Sequence, residues 1–185
     1  ALVYESAGGQ YRNEGLCQWM KVRRVNVMEG EKKQGRGRPK TFDRDRTLEV
    51  AMDSYWREGP DAVSLNEICR RARVSKPGLY REFGNEDGLM DSVLRLYAEQ
   101  VLRPALEILD QPRSFHEVLD TLVEFVTTSS DARPLGCLLA KMRSSPSQLG
   151  PITRAHVERL GNDSIGAYMR WVERSKERGE IPSSS

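Results

Sequence analysis

The chain has 185 residues, 38% of them apolar and 30% charged, with a formal net charge of +2. At roughly 150 residues per domain this is about one domain, or two small ones sharing a core, and an apolar share of this size excludes wholesale disorder. No stretch approaches the roughly 18 to 20 uninterrupted apolar residues of a spanning helix, which excludes an integral helical membrane protein.

The charge is uneven along the chain. Residues 21–46 carry ten positive side chains and four negative ones, a net of +6, whereas residues from 99 onward net −1. A basic front and a near-neutral rear point to a polyanion at the front; a solvated tail is the other reading of the same charges. Residues 1–34 have neither a helical nor a strand period and no apolar run of the signal-peptide kind, so they are expected to be disordered. The chain opens on Ala1, with Met20 and Met28 as candidate initiators.

Helical periodicity begins after Phe42. Leu48, Ala51, Met52, Tyr55 and Trp56 lie on one face of a helix that Gly59-Pro60 ends. Ser64 with Glu67 reads as a capping box ahead of Leu65, Ile68, Cys69 and Ala72. Ser75 caps a second short helix through Leu79, Tyr80 and Phe83, closed by Gly84. Asn85 caps the next, whose apolar face is Leu89, Val93, Leu96, Tyr97 and Val101, until Pro104 breaks or kinks it.

Ser114 and Glu117 form another box ahead of Val118, Leu119, Leu122, Val123 and Val126. A short helix is expected within 135–142, a loop over 144–150, and a long helix from Ile152 to Arg178, stopped by Gly179 and Pro182. No alternating strand pattern occurs, so the predicted fold class is all-α.

Helices Leu65–Ala72 and Lys76–Phe83, joined by Arg73-Val74-Ser75, match a helix-turn-helix. A helix is about as wide as the major groove, so the second can enter it if the first braces it across the backbone. An ordinary helical hairpin is the alternative. Against it, the second helix is short and polar (Lys76, Gly78, Arg81, Glu82), with Arg70, Arg71 and Arg73 crowding about it.

The run Val63-Ser64-Leu65-Asn66-Glu67-Ile68-Cys69, followed by Ala72-Arg73-Val74-Ser75-Lys76-Pro77-Gly78-Leu79-Tyr80-Arg81-Glu82-Phe83, resembles the DNA-binding domain of tetracycline-repressor-like (TetR) transcriptional regulators. The resemblance covers about Phe42 to Leu89, and Gly136-Cys137-Leu138-Leu139 is similar to a segment of one branch of that family. It implies a basic segment over 1–41, a three-helix DNA-binding domain over 42–86 and a helical effector-binding and dimerisation domain over 87–185. It also implies a cytoplasmic, nucleoid-associated homodimer that binds double-stranded operator DNA and a small-molecule effector. Members usually continue with two further helices, so a fragment is expected.

Under that resemblance Lys76, Pro77 and Tyr80 face bases or adjacent phosphates, and Ser64 presents a helix N-terminus to a phosphate. Asn66, Arg73, Ser75, Gly78 and Arg81 complete the predicted contact set. Tyr80 as a packed aromatic is the competing reading. Arg73 stands where the family usually has Gly, which strains the turn or adds a phosphate contact. Glu82 replaces a frequent His, and Glu86 a frequent Lys.

Ahead of the domain, Gly35-Arg36-Gly37-Arg38-Pro39-Lys40 is similar to an AT-hook core. Arg36, Arg38 and Lys40 would lie in a narrow minor groove, where A·T tracts concentrate negative potential.

Tyr97, Phe115, Phe125, Met142, Tyr168 and Trp171 are candidate effector-pocket residues, plain core being the commoner role at such spacing. His116 and His156 have no ligand spacing and read as surface or satisfied residues, and Cys137 reads as buried and inert. Cys17, Cys69 and Cys137 are odd in number and far apart, which fits a reducing cytosol rather than a disulfide scaffold. No GxSxG, phosphate loop, HExxH or defensible Cys/His or paired-carboxylate constellation occurs, so no catalytic residue, metal or cofactor is expected. The competing function is an architectural protein held to A/T-rich DNA mainly by Arg36 and Arg38.

Overall fold

The computed structural model describes residues 42–127, 134 and 136–182, and every regular element among them is helical. Helix α1 (Arg44–Glu58) starts where the Asp43 carboxylate accepts the Arg46 N–H at 3.0 Å, and it ends at Gly59, whose φ of +94° suits glycine. α2 (Leu65–Ala72) and α3 (Lys76–Phe83) follow, then α4 (Glu86–Tyr97), capped by the Asn85 side chain on the Gly88 N–H at 2.8 Å.

Pro104 does not end the next segment. α4 passes through a π-helical turn, Ala98–Leu102, into α5 (Arg103–Leu109), with Pro104 in the first turn of α5. Widening the turn just ahead of the proline accommodates the missing N–H and the ring, so the helical run continues without a break. α6 (Phe115–Thr127) opens on the complete Ser114/Glu117 capping box: the Ser114 N–H donates to Glu117 Oε2 at 3.0 Å and the Glu117 N–H to Ser114 Oγ at 3.4 Å. α7 (Leu138–Ser144) leads through a 3₁₀ turn, Pro146–Gln148, inside the predicted loop to the long helix α8 (Pro151–Glu177).

Two apolar clusters organise these helices. The main one gathers Leu48, Tyr55 and Trp56 of α1, Ile68 of α2, Leu79 and Phe83 of α3 and Leu89, Val93 and Tyr97 of α4 around Leu138, Leu139 and Met142 of α7 and Val157 of α8. It draws on both sides of residue 86, the predicted boundary. Each fully buried large side chain contributes about 1.5–3 kcal/mol relative to exposure.

The second cluster is smaller: Ile108 and Leu109 of α5, Val118 and Leu122 of α6, and Trp171 of α8. Leu119, Val123 and Val126, expected on the buried stripe of α6, are instead exposed at 38%, 50% and 56%. The described helices offer that side of α6 nothing to pack on.

Candidate nucleic-acid interface

The helix-turn-helix is built from its caps. Ser64 Oγ accepts the Glu67 N–H at 3.3 Å and so starts α2. The Glu67 carboxylate does not return to Ser64 as a full capping box requires; it turns to Arg70 (2.5 Å) and Arg71 (2.6 Å). Those guanidiniums pull its carboxyl down to about 2. Arg71 goes on to pair with Glu58 and to donate to Ser54 Oγ at 3.1 Å, which pins α2 to α1. Arg70 and Arg71, which the sequence placed around the second helix, are thus engaged by protein carboxylates.

α2 ends in a left-handed residue. Arg73 has φ +57°, the one positive φ outside glycine among the described residues. Its N–H meets the Arg70 carbonyl at 3.3 Å and the Val74 N–H meets the Cys69 carbonyl at 3.0 Å, the paired bonds of a Schellman end. A side chain pays about 1–2 kcal/mol for that backbone region, so the turn carries strain where glycine would carry none. The Arg73 side chain itself is exposed.

Ser75 then caps α3, its Oγ accepting the Gly78 N–H at 3.2 Å, with Pro77 in the first turn. On α3, Lys76, Pro77, Tyr80 and Arg81 are exposed, while Gly78, Leu79 and Phe83 are buried. Spacings of one, four and five residues make the exposed set one continuous strip. Tyr80 is 40% exposed, and Lys76 Nζ lies 5.8 Å from its ring centre. Tyr80 therefore belongs to the strip and not to the core.

Ser64 and Asn66 at the start of α2, and Ser75 in the turn, are also exposed. Gly78 is corrected: it faces inward, where an added Cβ would sit 3.0 Å from Ser75 Oγ and 3.3 Å from the Phe42 ring. Arg36, Arg38 and Lys40 lie outside the described residues.

One flank of the strip carries a feature the sequence reading missed. Phe42 covers Gly78 and meets Phe83 edge-on at 6.1 Å between ring centres. One turn further along α3, Glu82 pairs with Arg44 Nε at 3.0 Å, and the Arg44 guanidinium lies 5.3 Å over the Phe83 ring. The acid at 82 was visible in the sequence; its partner, 38 residues earlier, was not.

A second missed feature joins the strip's support to α8. Asp87, in the first turn of α4, accepts the N–H groups of Ile152 and Thr153, each at 2.9 Å, and the Thr153 hydroxyl at 2.6 Å. Burial opposes ionisation there, but these bonds and the nearby Arg154 charge outweigh it and hold the carboxyl below its ordinary range. One helical turn on, Asp91 Oδ1 lies 2.7 Å from His156 Nδ1, so His156 is a buried, satisfied residue as expected; His116 is exposed.

The six candidate pocket residues are not brought together. Tyr97 and Met142 are buried in the main cluster, where Tyr97 packs edge-on against Trp56 and its hydroxyl donates to Cys137 Sγ at 3.4 Å. Phe115 and Trp171 stack at 4.6 Å in the second cluster, with Phe125 against it, and Tyr168 is exposed at 42%. Cys137 is half-buried rather than fully buried. Among the described residues no group of three His, Cys, Asp or Glu could hold a metal ion, and no helix is long and apolar enough to cross a membrane.

Comparison with known proteins agrees with this geometry. Residues 48–93 match the family model of bacterial regulatory proteins, tetR family. The chain is similar to the HTH-type transcriptional repressor ComR of Escherichia coli K12, at 33% identity over 58% of this chain and 52% of ComR. It is also similar to the repressor BdcR of the same organism, at 34% identity over 48% of this chain and 46% of BdcR, so these matches span about half the length of each relative. Among solved structures, it superposes on the TetR family regulator CifR, a cysteine mutant complexed with 26-bp double-strand operator DNA. That likeness has a TM-score of 0.65 and 28% identity over 80% of this chain and 79% of CifR. The helix-turn-helix over α2 and α3, the all-helical body behind it and these likenesses agree: the chain carries the DNA-binding domain of the tetR family of bacterial regulatory proteins on a TetR-like helical fold.

Proposed function

We propose that the chain is a sequence-specific, DNA-binding transcriptional regulator, a cytoplasmic repressor that reads a two-fold-symmetric operator as a homodimer and is released by a small-molecule effector. The observation that carries this reading is the exposed strip Lys76, Pro77, Tyr80 and Arg81 on a short, doubly capped helix. A cation, a ring with a hydroxyl and a second cation on one edge of a groove-sized helix match the acceptors of base edges and phosphates. Lys76 takes the guanine-edge role, worth about 1–3 kcal/mol of discrimination, and Ser64, Asn66, Arg73 and Ser75 hold the backbone. Repression and an operator partner are drawn by analogy from ComR, BdcR and the CifR complex.

Residues 42–86 act as the DNA-binding domain and 87–185 as the effector and dimerisation domain, with the basic residues Arg36, Arg38 and Lys40 as a minor-groove arm. Two reading heads must stand about 34–36 Å apart to occupy successive major grooves. The Asp87 contacts with α8 support coupling between an effector and that spacing, because α4 cannot shift at its start without disturbing the start of α8.

Selection of bound duplex from a random pool, at several salt concentrations, tests the reading. A two-fold-symmetric motif is expected, and Lys76→Ala should weaken the selected site by about 1–3 kcal/mol and relax preference at one position per half-site. Selection of A·T content alone, indifferent to Lys76→Ala, would instead establish the architectural reading through Arg36 and Arg38.

A further inference from the structure

An acidic residue at the end of a reading helix is a liability beside DNA, and Glu82 is such a residue, with its side chain 36% exposed. Glu82 lies four residues after Gly78, so the two share the flank of α3 that the start of α1 covers, next to the exposed strip and not within it. Phosphates, rather than base edges, line the walls beside a helix seated in the major groove. A bare carboxylate there would repel them.

The carboxylate is not bare. Arg44 meets it through Nε and spreads its guanidinium over the Phe83 ring, and this side chain is still 50% exposed. Beyond this ion pair and ring contact, its two terminal nitrogens make no hydrogen bond among the described residues. The guanidinium is therefore held at two points while its outer donors stay open, which removes most of the ordering cost of grasping a phosphate.

We propose that Arg44 is a DNA-backbone contact of this protein and that Glu82 is its positioning residue, the pair replacing a direct contact from position 82. The proposal rests on the DNA-binding reading above and adds to it a phosphodiester site outside the helix-turn-helix. Its signature is a reversal of sign. With Arg44 present, Glu82 helps binding by aiming the cation; without Arg44, the same carboxylate repels the backbone.

The test uses the full chain and the duplex that the unsubstituted chain selects from a random pool, titrated between 50 and 200 mM salt. Arg44→Ala, which removes one contact from each subunit of the dimer, should lower the slope of log affinity against log salt by about 1.8, so that its deficit shrinks about 12-fold across that range. The selected base motif should stay the same. Glu82→Gln should weaken binding in the unsubstituted chain and tighten it in the Arg44→Ala background.

Arg44→Lys, which keeps the charge but not the fork, guards against a folding artefact: it should keep the slope and lose affinity, with unfolding temperatures measured alongside. An unchanged slope in Arg44→Ala, a changed base motif, or tightening by Glu82→Gln in both backgrounds overturns the proposal. Failure of the unsubstituted chain to bind any duplex at low salt overturns the DNA reading beneath it.

Discussion

Arg73 sets a proposed binding role for its side chain against the strain of its backbone. Its backbone sits in the left-handed region, and the two hydrogen bonds of the Schellman end leave it no other conformation. Arg73→Gly should therefore raise stability by about 0.5–1 kcal/mol, less than the full left-handed penalty because glycine also gains freedom in the unfolded chain. The same change removes an exposed cation from the turn of each subunit, so the salt slope of DNA binding by the proposed dimer should fall by about 1.8. Urea unfolding and salt-dependent titration of one variant read the two effects, which must move in opposite directions. The turn residue was legible because a motif that wants glycine held arginine. Gly78 misled for the opposite reason: its outward role was assumed from position, whereas the Phe42 ring occupies the space its Cβ would need.

Between elements, carboxylates act as the fasteners. Arg71, held by Glu67 on its own helix, pairs with Glu58 and ties α2 to α1, and Asp87 caps the start of α8 in place of Gly150, which supplies no side chain. Asp87→Asn should cost about 1–2 kcal/mol, as loss of a charged helix cap does. Gly150→Ala should also destabilise, since an added Cβ would fall on the Asp87 carboxyl. Both carboxyls are held below their ordinary range, Glu67 down to about 2.

The unfolded chain therefore takes up these protons at higher pH than the folded one. The stability they contribute is complete above roughly pH 5 and fades as pH falls through about 4 toward 2. Glu67→Gln should be less stable at pH 7 and show a shallower acid limb in unfolding scans from pH 6 to 2. Helix positions were legible because caps are local: Ser75, Asn85 and Gly84 act within a few residues of themselves. The fasteners were not, since Asp87 and Thr153 are 66 residues apart and no periodicity relates them.

At the scale of the molecule, the two clusters differ in how well they are closed. The main cluster spans α1 to α4 together with α7 and α8, and Leu79, Leu89, Val93, Leu94 and Met142 within it are fully buried. Opening any one of its helices exposes the faces of the others, so its amides should exchange only through global unfolding. The second cluster rests on a few side chains, and α6 buries only Val118 and Leu122 while leaving three apolar residues in solvent. Releasing α6 breaks the Phe115–Trp171 stack and the Glu180 cap on the Phe115 N–H, but leaves the main cluster intact. Native-state hydrogen exchange should therefore find α6 amides exchanging through a partial opening well below the global free energy, with α1 and α4 protected to the global limit. Trp56 and Trp171 report the two clusters separately, so with Trp19 replaced in both, Trp171→Phe and Trp56→Phe chains should unfold at different urea midpoints, the Trp171 signal first. Coincident midpoints, with α6 as protected as α4, would mean that the smaller cluster is closed as tightly as the larger, against the exposure of Val123 and Val126.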